Sequence, residues 1–335
     1  MNPPAAAPPA VRSAVPGAAA SLASPAAAPQ SAPGQAAPWH GVDHYENFPV
    51  GSWLLPRPLR PAVFAIYRFA RHADDLADEG DDPAPLRHAR LDALHRALER
   101  ADGPAAATEP PLPPVVAALT GPVARHRLGW RHFHDLLDAF QQDLAVRRYD
   151  DAAAVDDYCA RSANPVGRLM LELFEAATPA NLAAADAICS ALQRINFVQD
   201  VAIDRAKDRI YLPLATLRAA GTGAEQFYAE IDAGRLSAAS RRAVAIEAAR
   251  ARTQLLAGRP LLARVPRRLG WELRFIVAGG LRILDRLAAA DHDPVAARPK
   301  LGWRDGAALL ALALRLQSLP PPATRSAPRR PEPPR

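Results

Sequence analysis

Asp74, Asp75 and Asp78 lie close together in the first third of the chain, and Asp200 and Asp204 form a second acidic group much later. Within each group the carboxylates recur at three or four residues, the spacing that puts side chains on one face of an α-helix. Like charges at that spacing repel. The first group also sits late in its helix, where the macrodipole disfavours anions. Such an arrangement calls for a cation. The plain alternative is a solvated acidic face neutralised by Arg68 and Arg71, one turn earlier.

The second group argues against the plain alternative. Asn196, Asp200 and Asp204 form an oxygen-rich stripe on a helix whose other faces carry Ile195, Val198, Val201 and Ile203. An acidic stripe on an apolar helix points into a cavity rather than into bulk water. Hard oxygen ligands select Mg²⁺, with Mn²⁺ as the substitute, and Mg²⁺ binds through a few carboxylates together with substrate phosphates. Two such stripes facing each other would hold divalent cations around a diphosphate and stabilise the charge that develops as it departs. The remaining lining would be apolar, to fit a prenyl chain and keep water from a carbocation.

Helices must position these groups. Ala, Leu and Arg dominate the middle of the chain, and no Asn-Gly turn joins two alternating segments. The periodicity predicts helices over 58–80, 84–100, 112–127, 130–147, 152–177, 181–205, 223–232, 236–257, 259–290 (broken near Gly270) and 304–317. Pro58 and Pro61 suit the opening of the first, and Gly80 its end. Arg209-Ile-Tyr-Leu-Pro213 reads as an extended connection, because proline disfavours helix at the residue before it. The fold class is all-α.

Composition sets the limits of this body. Of 35 prolines, nine fall in residues 1–38 and seven in 318–335. Residues 1–38 are Ala, Pro, Ser and Gly, too poor in large apolar side chains to offset the entropy of ordering. Both tails are therefore expected to be disordered, with one catalytic domain over 39–317. The net charge of +6 falls to about +2 once the tails are set aside, which excludes a nucleic-acid footprint. The arginines of the C-terminal tail give it a weak attraction to an anionic membrane surface. Cys159 and Cys189 make neither a zinc site nor a disulfide framework. The apolar stretches at Leu273–Leu287 and Ala307–Leu316 are interrupted or too short to span a bilayer. No secretory leader is evident, so a cytoplasmic protein is expected, peripheral at most to the inner membrane face. His72 and His134 have no motif partner and read as structural.

The two aspartate groups, with Tyr158-Cys-Ala-Arg-Ser-Ala-Asn-Pro-Val-Gly167 between them and Arg209-Ile-Tyr-Leu-Pro213 after them, resemble the squalene/phytoene synthase family over roughly residues 40–290. The resemblance implies an isoprenoid-synthase helical bundle around a central cavity. It places Asp74, Asp75, Asp78, Asn196, Asp200 and Asp204 in the metal shell. Arg71, Gln193, Arg209 and Tyr211 fall where the family contacts diphosphate or substrate, and Phe48, Tyr67 and Tyr158 where family aromatics line the cavity.

Two departures narrow the implied activity. Condensing members carry a Ser-x-Ser-Phe segment near the N-terminus, where this chain has Tyr45-Glu46-Asn47-Phe48. They also carry arginine directly before the first aspartate of the second motif, where this chain has Gln199. Fewer hydroxyls and one cation less suit a single diphosphate. His44-Tyr-Glu-Asn-Phe-Pro-Val50 and the Gln199-Asp200 pattern are similar to the bacterial hydroxysqualene synthase branch. That branch ionises presqualene diphosphate and quenches the cation with water, without NADPH, in squalene and hopanoid biosynthesis. Asn47 would then help bind substrate. Gln199, with donor and acceptor groups, would hold water near the cation. The partners implied are the prenyl diphosphate and other enzymes of the squalene pathway. Two alternatives stay open: a condensing squalene or phytoene synthase acting on two prenyl diphosphates, and a non-catalytic binding protein on the same fold.

Overall fold

Proline, glycine and helix periodicity divide the chain into the elements seen in the computed structural model, which describes residues 54–80, 82–103 and 110–318. The two tails expected to be disordered, and Asn47 and Phe48, lie outside the described residues, except for the first position of the C-terminal tail. Among the described residues there are fourteen α-helices and no strand, only an isolated bridge between Arg148 and Ile210. None of these helices is long and apolar enough to cross a membrane.

One half of the core is built by α1 (Arg60–Asp78), α2 (Ala84–Asp102), α3 (Pro114–His126) and α4 (Arg131–Ala145). On α1 the buried positions Ala62, Val63, Ile66, Phe69, Ala73 and Ala77 face this core. The same 3.6-residue repeat leaves Tyr67, Arg71, Asp74 and Asp78 along a neighbouring, half-buried stripe. His134 lies here too, its Nδ1 2.9 Å from Nδ1 of His95 where α2 meets α4.

The chain then passes through α5 (Ala152–Ser162) and α6 (Asn164–Leu173). A single helix is predicted over this stretch, but the backbone departs from helical geometry at Ala163 (φ −121°, ψ −44°). Pro165 supplies no N–H to carry the ladder through. The other half of the core centres on α7 (Pro179–Gln199), continued by α8 (Val201–Ala206). Next come the short α9 (Leu214–Ala219), missed in the sequence reading and opened by Pro213, and then α10 (Ala224–Asp232). The long α11 (Ala238–Ala257) packs along α7. After α12 (Leu261–Arg264), α13 (Arg267–Ala289) and α14 (Gly306–Ser318) close the bundle.

The break predicted near Gly270 falls instead at Val265, extended at φ −102° and ψ 164° ahead of Pro266. Gly270 lies inside α13. A Cβ there would meet the Leu262 carbonyl oxygen at 2.7 Å, so the glycine serves close packing on α12 rather than a kink.

Candidate active site

The first acidic group is held by α1. Arg71 reaches three carboxylates: Nη2 lies 2.8 Å from Asp75 Oδ1 and 2.6 Å from Glu79 Oε1, and Nη1 3.4 Å from Asp74 Oδ2. One guanidinium cannot neutralise them all. Asp74 is crowded by protein although part of it reaches solvent, and burial together with the Asp78 charge pushes its carboxyl up to about 7. Burial raises Asp75 as well.

The second group is carried by the α7–α8 junction. The helix distorts at Asp200 (φ −108°, ψ 18°). Even so, Asp200 N–H bonds the Asn196 carbonyl at 2.8 Å and Asp204 N–H bonds the Asp200 carbonyl at 2.9 Å. The i, i+4 register therefore survives the distortion, and Asn196, Asp200 and Asp204 stay in line with Gln193 one turn earlier. Burial, then the Asp200 charge, pushes Asp204 up to about 8.

Two cations after α8 join the groups. Lys207 Nζ lies 2.5 Å from Asp78 Oδ2, and Arg209 Nη2 lies 2.9 Å from Asp78 Oδ1. Burial pushes the Asp78 carboxyl up, but the bonds from Arg209 and Lys207 outweigh it and hold it below the usual range. Local geometry aims Arg209. Asp208 takes the left-handed conformation (φ 55°), which a short polar side chain tolerates, and Arg209 N–H turns back to the Asp204 carbonyl at 2.8 Å. Ile210 N–H then bonds the Arg147 carbonyl at 2.9 Å, so the segment is extended as predicted. Arg209 Nη2 also donates to the Asp143 carbonyl at 2.9 Å.

Beneath the carboxylates lies an aromatic cluster. Phe197 and Tyr211 stack with centroids 4.1 Å apart, and Tyr149 and Tyr158 pack beside them. Tyr158 Oη donates to Asp143 Oδ2 at 2.7 Å and Tyr211 Oη to Asp143 Oδ1 at 2.9 Å. Asp143 is buried, and burial pushes its carboxyl up against the two tyrosine bonds. The hydroxyls of Tyr158 and Tyr211 are thus turned to Asp143 rather than outward. Tyr67 stands half-buried on α1, two turns before Asp74.

Gln199 is buried, and its Nε2 donates to the Pro299 carbonyl at 2.7 Å. The neighbouring Arg298 holds Asp200 Oδ1 with Nε at 2.7 Å and Nη2 at 2.6 Å. The segment between α13 and α14 is therefore fastened to the second acidic group at two adjacent residues.

A narrow apolar cavity, open to solvent, runs between α6, α7, α12 and α13. Its walls include Gly167, Met170, Ile188, Cys189, Leu192 and Ile276, and no residue of either aspartate group. Leu192 lies one turn before Asn196, so α7 presents oxygen ligands at its end and a hydrocarbon wall behind them. A Cβ on Gly167 would meet Cys189 Sγ at 2.6 Å; the glycine lets α6 approach α7 there. Both cysteines are free thiols.

Asp74, Asp75, Asp78, Asp204, Arg71 and Arg209 thus gather through α1 and the α8 exit, with Asn196 and Asp200 on the adjoining helix. Among the described residues no three His, Cys, Asp or Glu side chains converge into a ready-made metal cage. The sequence reading missed Asp143, Lys207 and Arg298. Lys207 lies three residues past Asp204 and was open to the same helical reasoning. Asp143 and Arg298 arrive from distant elements and leave no local signal.

The sequence model of the squalene/phytoene synthase family matches residues 42–305. The hydroxysqualene synthase of Zymomonas mobilis is 35% identical over 262 residues, covering 76% of this chain and 82% of that protein. The presqualene diphosphate synthase of the same organism is 34% identical over 178 residues, covering 52% and 58%. A crystal structure of squalene synthase from Alicyclobacillus acidocaldarius superposes with a TM-score of 0.66 at 37% identity, covering 74% of this chain and 90% of that one. Fold, motif order and likeness along most of the chain agree: the protein belongs to the squalene/phytoene synthase family, whose members process prenyl diphosphates.

Proposed function

We propose that the chain converts presqualene diphosphate and water to hydroxysqualene and diphosphate, as a hydroxysqualene synthase-type carbon–oxygen lyase of squalene and hopanoid biosynthesis. One observation carries the reading: the face of α7 that ends in Asn196 and Asp200 continues one turn back as the wall of an apolar cavity. A diphosphate at the polar end and a hydrocarbon chain behind it fit that face. Support also comes from the likeness to a hydroxysqualene synthase along three quarters of the chain, against half for a presqualene diphosphate synthase.

Asp74, Asp75, Asp78, Asn196, Asp200 and Asp204 would hold Mg²⁺, or Mn²⁺ in its place, which supplies Lewis-acid stabilisation of the leaving diphosphate. The donor set suits such a cation. It is all hard oxygen, and Asp74 and Asp204 are held high by crowding that a cation would relieve. Mg²⁺ ordinarily binds through a few carboxylates plus substrate phosphates, so a preformed protein cage is not required.

The side chains have distinct tasks. Arg71, Lys207 and Arg209, each paired with a carboxylate, exchange those partners for diphosphate oxygens. Gln193 and Tyr211 stand beside the substrate headgroup. The carbon–oxygen bond to the diphosphate breaks and the electron pair leaves with the diphosphate. The rings of Tyr67 and Tyr158 face the cation that remains. A water oxygen forms the new carbon–oxygen bond and its proton passes to the released diphosphate. No hydride is consumed, so NADPH has no part. Gln199, expected from the sequence to hold water near the cation, has its Nε2 on the Pro299 carbonyl and acts instead by positioning the Arg298–Pro299 segment, whose Arg298 holds Asp200. An apolar product also implies handover beside a membrane or to other enzymes of the squalene pathway.

The purified protein with Mg²⁺ should turn presqualene diphosphate into an alcohol, resolved by gas chromatography, and chelation should stop it. Rapid turnover of farnesyl diphosphate alone would instead assign a condensing enzyme, and inertness toward both would assign a binding protein. Gln199→Leu and Gln199→Arg should lower the yield of alcohol. An unchanged product at unchanged rate would remove Gln199 from the reaction.

A further inference from the structure

Helix α14 has two apolar faces, and the protein covers one of them. Ala313 and Leu316 are buried in the core, with Leu309 and Leu312 packed against it. On the other side Ala307, Leu310, Ala311 and Leu314 continue the line of Trp303 at helical spacing, and all are exposed. Trp303 is 86% exposed, Leu310 48% and Leu314 49%. A large apolar stripe left in water marks a surface that meets something.

The charges beside it restrict what that is. Lys300, Arg304 and Arg315 are exposed on this segment. Its single acid, Asp305, is buried and held by Arg282, Arg286 and the Gly302 N–H. The Arg304 guanidinium lies 5.1 Å from the centre of the Trp303 ring. The chain beyond α14 adds Arg325, Arg329, Arg330 and Arg335 against Glu332. The partner is therefore anionic as well as apolar. A second copy would bring like charges together, and residues 1–38 contain no acid and few large side chains. A stripe of leucine and alanine flanked by cations, with tryptophan at one end, has the chemistry of a helix lying in a lipid–water interface.

We infer that the exposed face of α14, with Trp303, is the surface by which the protein docks on an anionic bilayer. Leu310, Leu314 and Trp303 enter the acyl boundary, and Lys300, Arg304 and Arg315 meet the phosphates. This goes beyond the assignment of the reaction and does not depend on it.

The test uses the full chain in vesicle flotation. Vesicles of phosphatidylcholine mixed with phosphatidylglycerol should carry the protein, and phosphatidylcholine alone should carry much less. Replacing Trp303→Ala, Leu310→Gln and Leu314→Gln together should lower the partition by about tenfold or more. The melting temperature and the turnover of dispersed substrate should stay unchanged. Added salt should weaken binding without abolishing it, because the apolar part is not screened. The inference is overturned if the triple variant floats like the parent, or if deletion of residues 319–335 alone removes binding. It is equally overturned if the parent is a dimer in free solution and the triple variant a monomer, which would make the face a contact between copies.

Discussion

Helix α7 carries charge on two faces and treats it in two ways. On one face Arg194 is 2% exposed, with Nη1 2.9 Å from Glu247 Oε2 and Nη2 2.7 Å from Asp156 Oδ1 and 3.0 Å from the Ala152 carbonyl. Glu247 in turn accepts from Thr216 Oγ1 at 2.7 Å and from Arg250. Two residues further on, about 200° around the helix, Asn196 begins the oxygen stripe. There Asp204 is pushed up to about 8 and, across from it, Asp74 to about 7. The first network pairs its buried cation with two carboxylates and ties α5, α7, α9 and α11 together. The second has more crowded carboxylate than its cations quiet, so it is poised for a ligand that the fold does not supply. Burial of charge alone does not mark a site; incomplete compensation beside a cavity does.

Substitutions on the two faces should have opposite signatures. Asp74→Ala or Asp200→Ala should lower turnover of presqualene diphosphate by roughly a thousandfold, because charge on the leaving group loses its counter-ion. The melting temperature should hold, and with Asp74→Ala rise slightly, since a carboxyl raised by its surroundings is a destabilising charge in the folded state. Wild-type turnover at saturating Mg²⁺ would return the acidic groups to an ordinary solvated face.

Glu247→Ala should do the reverse. It takes away the buried partner of Arg194, which keeps only Asp156 and the Ala152 carbonyl, and should cost about 2–3 kcal/mol in denaturant unfolding. Protein that still folds should keep its turnover. A large loss of activity in fully folded Glu247→Ala would erase the distinction between strut and site.

Tyr158→Phe sharpens the boundary between the two. It removes one of the two hydroxyls on Asp143 and should cost about 1–3 kcal/mol of stability. The ring that faces the cation is kept, so turnover falling far beyond what that loss explains would give the hydroxyl itself a part in the reaction.

The smallest effect is at Asp305, a compensated carboxylate like Glu247 but at the start of α14. The Gly302 N–H, then Arg282 and Arg286, hold it down to about 2. A carboxylate with a lowered folded pKa contributes stability that is complete above its unfolded value, near 3.9, and is lost as pH falls through the folded one. The difference in urea midpoint between the parent and Asp305→Asn should therefore be constant above about pH 5 and shrink between roughly pH 4 and pH 2. A difference that does not shrink would mean that the contacts are not electrostatic.

Much of this was legible in the sequence by itself. The i, i+3 and i, i+4 spacing of Asp74, Asp75 and Asp78, and of Asn196, Asp200 and Asp204, specifies shared helix faces, because 3.6 residues per turn leaves no other outcome for a helix. Pro213 and the residues before it specify an extended exit from α8, because proline restricts its predecessor. The all-α class follows from periodicity, and the family from the order of the motifs. Tertiary structure alone decided the rest. Nothing near Gln199 in the sequence points to Pro299, and nothing near Tyr158 points to Asp143. The first contact joins segments a hundred residues apart, the second joins consecutive helices, and both depend on how the helices pack. Gly270 makes the same point from the other side: its type was visible, but only the approach of α12 tells close packing from a break. Local spacing fixes which side chains share a face; only packing decides which faces meet, and therefore which charges are left without a partner.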